Sequence, residues 1–308
     1  MNSAFWWSDW AYRDGVVSIK STGHKLPLRR KFIAVCLNWL IFYVCMEVWR
    51  VLSMRRKGPR IAFTPERPRP WYFIWACTHA IGGRIVRDEA KADLTIYFED
   101  QTVSALPVLP DTRAHMNFAC CDVTKTHVAR IFEETFGYSI GVDPLKFVGP
   151  VVEKSEVNGA HDGQVRQAPF EPLADRAYQR LIDNRCREEQ VADYRCVIVG
   201  REMPLLFIKK RQIGKRFTNI NCEVNLVETS EAFSQQEMDL LIEFAARMGL
   251  EWGALDVLRD RNDGRIYVVD VNKTNIDPPI ALPLKDKLKA TKRVGHALKA
   301  FVESRVQG

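Results

Sequence analysis

The sequence has no Cys-x-x-Cys pair and no cysteine spacing matched to its histidines, although its 308 residues include eight cysteines. Zinc sites and disulfide frameworks depend on such spacings, so neither is expected. The thiols instead indicate a reduced, cytosolic protein. The apolar run near the amino terminus has no small-residue cleavage site and begins too late for an ordinary signal peptide. We therefore expect a cytoplasmic protein.

The body of the chain lacks a charge excess of either sign. Residues 1–60 hold 11 lysines and arginines against 3 acidic residues, which leaves 34 against 35 in the remainder. A nucleic-acid-binding protein is expected to carry its basic excess on the folded domain, so this distribution argues against that class. With 46% hydrophobic and 27% charged residues, the chain is expected to form two packed subdomains.

The amino-terminal segment lacks an apolar run of full transmembrane length. The run Phe32–Met46 has 15 residues, whereas a spanning helix needs about 20 and would have to include Glu47 and Arg50. Two interpretations stay open. The segment is either a helix at an anionic membrane surface, with basic flanks and with Trp39 and Trp49 at the headgroups, or a core helix of this or another subunit.

Aromatic residues precede this run. They belong either to the same membrane-facing patch or to a short strand region around residues 16–19. The residues in question are Trp6, Trp7, Trp10 and Tyr12.

Two short predicted strands near the carboxyl end carry acidic residues where a strand normally has none. Alternation predicts one shared face for Ala254, Asp256 and Leu258 of the first strand, and for Ile266, Val268, Asp270 and Asn272 of the second. A three- or five-residue turn centred on Asp263, with Gly264 in the left-handed position, would place Asp256 directly across from Asp270. A two-residue turn would place them on opposite faces.

The opposed carboxylates predict a metal site. Cross-strand neighbours lie about 5 Å apart, so like charges there repel unless a cation bridges them. Carboxylate and amide oxygens are the ligands that magnesium prefers. The alternative is a surface hairpin on which Asp256 and Asp270 are solvated.

This pattern, Asp256 on one strand and Asp270-Val271-Asn272 on the next, resembles the paired acidic strands that hold magnesium in the ATP-grasp superfamily. The resemblance implies an α+β ATP-grasp fold, ATP and Mg²⁺ as cofactors, and Asp256, Asp270 and Asn272 as metal ligands. The chain then divides into four parts. These are an amino-terminal basic segment with an apolar helix (1–58), a small preceding α/β unit (59–119), the ATP-grasp catalytic domain (120–282) and a C-terminal amphipathic helix (283–308).

Further segments follow in the order of an ATP-grasp domain. Lys154 emerges from a predicted strand over 147–155 before a glycine-containing loop, which is an arrangement that can hold phosphates. A plain hairpin turn with a surface lysine is the alternative. Lys125 opens a predicted helix capped by Asp122 or Thr124, and resembles the family's first ATP-binding lysine. The segment over residues 177–184 resembles the family's hinge, which presents backbone to adenine and an acid, here Asp183, to the ribose. A short apolar strand that ends in an aspartate is the alternative. The resemblance implies these nucleotide-binding residues: Lys125, Lys154, Gly159, Gly163, Gln179, Leu181, Ile182 and Asp183.

The run Lys209–Gln212 with residues 217–221 resembles the family's basic region, which faces phosphate and substrate. Arg211 is the first candidate for a catalytic role and Arg195, on the preceding strand, is the second. A solvated charged face is the alternative. Thr218 stands where the family often has arginine, and Asn275 stands where it often has proline. Both departures concern the substrate side of the site.

Two helices follow from their apolar spacing. Ser234 and Glu237 form a predicted capping box at the start of a helix that ends at Gly249. After Pro283, an amphipathic helix over 285–306 is expected to pack back on the fold. Its candidate buried positions are Leu288, Val294, Leu298 and Val302.

The activity that the resemblance implies is ATP- and magnesium-dependent ligation of a carboxylate to an amine or thiol through an acyl phosphate. The alternatives are a nucleotide-binding membrane-surface protein without ligase activity and a phosphotransferase on the same fold. Expected partners are small-molecule, peptide or glycan carboxylates and amines, with no nucleic acid. Under the membrane interpretation, the protein lies peripherally on the inner face of a membrane. Its oligomeric state stays open.

Overall fold

A computed structural model describes residues 10–19, 25–27, 30–53, 57–109, 114–218, 220–276 and 278–307. Part of the expected membrane-facing segment lies outside the described residues. The residues concerned are Trp6, Trp7, Arg29, Arg55 and Arg56.

The chain begins with a three-stranded antiparallel sheet and a long helix. The sheet consists of β1 (Trp10–Arg13), β2 (Val16–Ile19) and β3 (Lys25–Pro27), in that order. Helix α1 (Arg30–Ser53) has 24 residues. Within α1, an apolar window of spanning length has to include Glu47 and Arg50, as expected. An 18-residue window, Cys36–Ser53, is long and apolar enough to cross a membrane by length and composition, although only 17% of that window is buried in the protein.

A small parallel α/β unit follows, as predicted. It contains β4 (Arg60–Pro65), α2 (Phe73–Ala80), β5 (Arg84–Ile85), β6 (Leu94–Phe98) and β7 (His115–Met116). The strand order is β5-β4-β6-β7, and all the pairings are parallel. Every residue of β6 is buried, which is typical of a parallel strand covered on both faces.

The next helix and sheet carry the predicted nucleotide-binding segments. Helix α3 (Lys125–Phe136) is capped by Thr124, whose hydroxyl accepts from the His127 N–H at 3.3 Å, and it ends at left-handed Gly137. A three-stranded antiparallel sheet of order β10-β8-β9 follows. Its strands are β8 (Gly149–Ser155), β9 (Gln164–Ala168) and β10 (Arg176–Arg180).

A larger antiparallel sheet, of order β14-β13-β12-β15-β16, completes the fold, with β11 pairing with β12. Its elements are β11 (Arg185–Arg187), β12 (Gln190–Val199), β13 (Glu202–Gln212), β14 (Glu223–Val227), α4 (Thr229–Ala232), α5 (Gln235–Arg247), β15 (Trp252–Arg259), β16 (Ile266–Asn272) and α6 (Leu284–Gln307). The capping box of Ser234 and Glu237 at the start of α5 is confirmed. Of the candidate buried positions in α6, Val294, Leu298 and Val302 are buried and Leu288 is partly buried.

The large sheet is apolar on both faces at one end and charged on one face at the other. Cys196 and its neighbours pack with Phe132 of α3 and Phe244 of α5. On the opposite face, Val197 and Phe207 pack with α2 and α6. Each fully buried side chain of this kind stabilises the fold by about 1.5–3 kcal/mol. Farther along that face, alternation brings charged residues of β12 and β13 together, because every second side chain points the same way.

In the acidic hairpin, the two aspartates pair as predicted, but a β-bulge and not the length of the turn brings them together. Asp256 pairs with Asp270, but the turn spans residues 260–265, which is neither of the predicted lengths. A register shift between Asp256 and Val257 restores the pairing, with Val269 as the extra residue. Gly264 is left-handed, as predicted, with φ of 73°.

The same bulge changes which side chains share a face. The prediction that Ile266 and Val268 lie on the face of Asp270 is wrong. Both belong to the hydrophobic core, whereas Val269 lines a cavity with Asp270 and Asn272. A bulge therefore switches the phase of the alternation within β16.

Candidate active site

A large cavity, of about 1320 Å³, lies between the loop that joins β8 and β9, the charged face of the large sheet, and α1. Of the thirteen residues predicted for the site, all except Asp183 line it. We call the part around Lys125, Lys154, Arg211, Asp256 and Asp270 the charged end. The part around Asn38, Trp39, Phe42, Trp71 and Lys287 is the aromatic end.

Asp183, predicted to contact a ribose, does not line the cavity. Its carboxylate accepts two hydrogen bonds from Arg185, at 2.7 and 2.6 Å. Arg185 holds the pKa of Asp183 below its usual value, against a smaller opposing effect of burial. The neighbouring Leu181 and Ile182 do line the cavity, so the hinge segment is present without its acid.

The lysine of β8 lies beside the expected loop. Lys154 Nζ donates to Gln179 Oε1 of β10 at 2.9 Å, while the amide nitrogen of Gln179 is buried and has no hydrogen-bond partner. Burial lowers the pKa of Lys154, and the nearby Asp270 offsets this in part. A partly buried cation and an unpaired buried donor in a cavity indicate that an anionic or acceptor ligand belongs there.

Glycines shape the loop over this lysine. Gly159 is left-handed, with φ of 73° and open space around it. Gly163 lies against the Phe217 ring, where an added Cβ would be only 2.8 Å from a ring carbon. The loop is fixed at its start, since the Asn158 N–H donates to Thr102 Oγ1 at 2.8 Å. Close approach of backbone to a ligand requires such small residues.

Lys125 and Asp270 form one ion pair of the charged end. The Lys125 Nζ and Asp270 Oδ1 atoms are 3.3 Å apart, and Lys125 Nζ also lies 3.3 Å from the Val157 carbonyl of the loop. Asp270 Oδ1 is buried and accepts no well-directed hydrogen bond. Lys125 therefore joins α3, the loop and the acidic hairpin at one point.

Asp256 is held by two basic residues. Arg195 Nη1 lies 2.9 Å from its Oδ2, and Lys209 Nζ lies 3.1 Å from its Oδ1. Burial opposes the ionisation of Asp256, but Arg195 and Lys209 together outweigh it and hold the pKa of this carboxyl well below its usual range. Positive charge therefore lies beside both carboxylates and is supplied by protein side chains, while the predicted bridging metal stays a prediction.

The site still offers ligands for a divalent cation. Asp270, with its underused buried oxygen, and Asn272 fit magnesium better than Asp256, whose two oxygens are already engaged. Within the part of the chain that the structure describes, no three histidine, cysteine or acidic side chains converge on one point. A site with one or two carboxylates suits magnesium, which completes its coordination shell with water and nucleotide phosphates.

Comparison with known proteins bears on the fold that carries this site. No protein-family model and no curated protein matches the chain. Among solved structures, it is similar to the ATP-grasp ligase PsnB complexed with a phosphomimetic variant of minimal precursor, Mg and ADP. The match has 12% identity and a TM-score of 0.50, and it covers 80% of this chain and 99% of that one.

A second similar structure is the RimK domain ATP-grasp protein from Sphaerobacter thermophilus, with 14% identity and a TM-score of 0.47 over 79% of this chain and 99% of that one. A third is the RiPP-associated ATP-grasp ligase of Chryseobacterium gregarium in complex with ADP and a leader and core peptide. It has 10% identity and a TM-score of 0.46 over 80% and 97%. The chain has the ATP-grasp fold.

Within this ATP-grasp fold, the two catalytic candidates differ in how they are held. Arg195 donates to Asn275 Oδ1 from Nε at 3.2 Å and from Nη2 at 2.5 Å, in addition to its contact with Asp256. Arg211 forms an ion pair with Asp193, while its Nε is buried and has no partner. Arg211 therefore has a donor left for a ligand, and Arg195 positions Asp256 and the loop that carries Asn275.

Some residues of the ATP-grasp cavity are missing from the sequence predictions. Lys209 and Asp193 alternate in phase with Arg211 and Arg195, so the period of two on β12 and β13 is a signal that identifies them. Lys287 carries no such signal. It lies among the lysines of an amphipathic helix, and only the packing of α6 against α1 shows that it is buried.

Proposed function

We propose that this chain is an ATP- and magnesium-dependent ligase that joins a carboxylate to an amine or thiol. The observation that carries the proposal is the convergence of Lys125, Lys154, Arg211 and Asp270 on one cavity beneath a glycine-containing loop. Three cations and one carboxylate with spare ligand capacity suit the charge of a magnesium-bound nucleoside triphosphate.

Each residue of the charged end has a separate role in the proposed reaction. Lys154 and Arg211 bind oxygens of the transferring phosphoryl group, and the backbone of residues 158–163 covers the phosphates. Leu181 and Ile182 lie beside the adenine. Magnesium, held by Asp270 and Asn272 when bound, neutralises the phosphates. The substrate carboxylate attacks the γ-phosphorus to give an acyl phosphate and ADP. The amine or thiol then attacks the acyl carbon, phosphate leaves, and the nucleophile loses a proton.

The similar PsnB structure supports the class of substrate. That protein is described as complexed with a variant of minimal precursor together with Mg and ADP. We infer that this chain also acts on a peptide or small-molecule carboxylate with ATP and Mg²⁺. The cavity is large enough for ATP and a second substrate, because its volume of about 1320 Å³ exceeds the roughly 300–1,000 Å³ of a pocket for one small ligand.

A nucleotide-binding protein without ligase activity is the second candidate. Arg195 and Asn275 favour it, since the arginine is engaged by protein groups and Asn275 is 1% exposed. In that case the chain binds ATP at the charged end and transfers nothing.

The test is product analysis on the full-length protein with ATP, Mg²⁺ and pools of carboxylates, peptides and amines. A ligase forms ADP and phosphate only when both a carboxylate and an amine or thiol are present, and a condensed product appears. ADP with a stable phosphorylated product would indicate a phosphotransferase. ATP binding with no ADP under any pool would leave the binding protein as the correct assignment.

A further inference from the structure

The aromatic end of the cavity contains a buried cation that the proposed chemistry does not use. Lys287 of α6 is 2% exposed and lines the cavity. Its Nζ donates to the neutral amide oxygen of Asn38 in α1. Among the described residues, no carboxylate lies within ion-pair distance of it, and burial lowers its pKa to about 8. Buried charges in folded proteins are normally paired with an opposite charge, so the environment of this lysine favours the binding of an anion.

The surroundings of Lys287 are apolar. Trp39 and Phe42 of α1 lie beside Asn38 in the chain, and Trp71 lines the same cavity, with the Trp39 and Trp71 rings each 6.5 Å from the Trp10 ring. A low local dielectric strengthens the attraction between opposite charges and penalises a charge that has no partner. The side chains therefore select for an anion carried on an apolar body, because a strongly hydrated ion gains nothing from the aromatic walls.

We propose that Lys287 and Asn38 bind a carboxylate group of the substrate, whose apolar or aromatic body packs between Trp39, Phe42 and Trp71. This inference rests on the proposed ligase function and specifies its substrate class. The bound carboxylate is an anchoring group, apart from the reacting groups at the charged end. Lys287 contributes charge, and Asn38 fixes the position of its ammonium group.

To test the proposal, the binding of 3-phenylpropionate to the full-length protein is measured by ligand-observed NMR. The neutral 3-phenylpropanamide is the matched probe. We expect 3-phenylpropionate to bind and the amide to bind about 10- to 100-fold more weakly, which is the range for hydrogen bonds to charged groups. Lys287→Met should remove this preference. Lys285→Met, at an exposed lysine of the same helix, should keep it.

A second variant covers the case in which Lys287→Met does not fold. Asn38→Asp places a carboxylate beside Lys287 and should abolish 3-phenylpropionate binding by supplying the counter-ion internally. Equal binding of acid and amide, or acid binding that survives both variants, overturns the proposal. ATP titration separates the two claims. If ATP binds normally and no carboxylate does, the anchoring site is wrong, whereas carboxylate binding without ATP binding contradicts only the ligase assignment.

An independent observation concerns the outer face of α1. Six of its apolar side chains are between 45% and 56% exposed and recur at helical spacing. They are Leu37, Leu40, Ile41, Val44, Val48 and Val51. The opposite face packs on the protein, with Phe42 and Met46 buried against Trp75 of α2. The helix is thus held on the body while it presents a continuous apolar stripe, of a kind that marks an interaction site.

The charges at both ends of α1 identify the partner. In the sequence, Arg29-Arg30-Lys31 lies at the start of the helix and Arg55-Arg56-Lys57 follows its end. Two copies of α1 that paired through the stripe, in either direction, would bring basic triplets together. An anionic lipid surface attracts both triplets at once, at about 1 kcal/mol for each basic residue near the surface.

We infer that α1 lies in the plane of an anionic membrane surface with this stripe in the lipid. Co-sedimentation of the full-length protein with phosphatidylcholine vesicles, with and without phosphatidylserine, tests it. We expect binding that requires phosphatidylserine. The triple variant Leu40→Gln, Val44→Gln, Val48→Gln should reduce the bound fraction at least about fivefold. The control triple Val103→Gln, Leu106→Gln, Val108→Gln removes exposed apolar residues elsewhere and should change nothing.

Light scattering without vesicles completes this experiment. A monomer that binds phosphatidylserine vesicles through the stripe supports the membrane assignment. A dimer that the stripe variant dissociates, with no vesicle binding, shows that a second copy covers the stripe and overturns it. Vesicle binding unaffected by the stripe variant also overturns it.

Discussion

The two ends of the cavity handle buried charge in opposite ways. At the charged end, Asp256 lies 2.9 Å from Arg195 and 3.1 Å from Lys209, and Asp270 lies 3.3 Å from Lys125. At the aromatic end, Lys287 has a neutral amide as its partner. The charged end keeps its side chains in place before any ligand arrives, and such preorganisation lowers the cost of binding and of charge stabilisation.

The two carboxylates of the charged end differ in the same respect, because one is fully paired with protein cations and the other can still bind a ligand. Asp256 is fully engaged by protein cations and acts as an electrostatic centre that holds Arg195 and Lys209. Asp270 has one lysine and an oxygen that accepts no well-directed hydrogen bond, so it retains capacity for a metal. Although Asp256 and Asp270 are paired across neighbouring strands, we expect substitution by asparagine to have different consequences at the two positions.

The largest expected effect is that of Asp270→Asn on turnover. This change removes a negative ligand for magnesium, and we expect kcat to fall by at least about 100-fold, as for loss of a key electrostatic group. Stability should fall less than in Asp256→Asn, because only Lys125 loses its counter-charge and the Asp270 side chain is 23% exposed. Phosphate release per folded molecule measures the effect. Asp239→Asn, at an exposed aspartate, is the control. Loss of folding with unchanged specific activity would make Asp270 structural.

Asp256→Asn is expected to act on stability. It leaves Arg195 and Lys209, 10% and 11% exposed in their side chains, without their shared counter-charge. Breaking a buried pair in this way costs about 3 kcal/mol of unfolding free energy. Urea denaturation measures this cost. A loss no greater than that of Asp270→Asn would remove the distinction between the two carboxylates.

Lys154→Ala should weaken ATP binding about tenfold, which corresponds to one charge-assisted hydrogen bond, with the fold unchanged. Calorimetry of ATP binding reports the change. Lys146→Ala, whose side chain is 86% exposed, is the matched control. Equal affinities for the wild type and Lys154→Ala would exclude Lys154 from the phosphate site.

The smallest expected effect is on the pH dependence of stability at the aromatic end. The pKa of Lys287 is about 8 in the folded protein and about 10.4 when unfolded. Between these values the unfolded chain binds more protons, so Lys287 makes stability rise with pH across that window. Lys287→Met should be more stable than wild type at pH 7, and the gap should narrow by about 1 kcal/mol by pH 9. Denaturation at several pH values tests this, with Lys285→Met as the control. A constant gap would show that Lys287 is solvated.

Much of the site could be predicted because chemistry and chain order mark it. The period of two in β15 and the Asp270-Val271-Asn272 triplet identify the acidic hairpin, and Lys154 precedes its loop directly. Thr124, Gly137 and Ser234 mark helix ends through local hydrogen bonding and backbone conformation, which need no tertiary information.

The remainder depends on tertiary packing. The bulge at Val269 has no local sequence signal, yet it decides which side chains of β16 reach the cavity. Asp183 reads as a ribose ligand until Arg185 is seen to hold it. The solvation of Lys287 depends on how α6 meets α1, two helices that lie far apart in the chain.

The most direct test of the account is an ATP titration of the full-length protein with Mg²⁺ and with EDTA, carried out on the wild type and on Asp270→Asn. We predict that Mg²⁺ tightens ATP binding to the wild type and that Asp270→Asn loses this gain while still binding ATP through Lys125 and Lys154. Equal ATP affinity with and without Mg²⁺ in the wild type, or a magnesium gain that persists in Asp270→Asn, would contradict it.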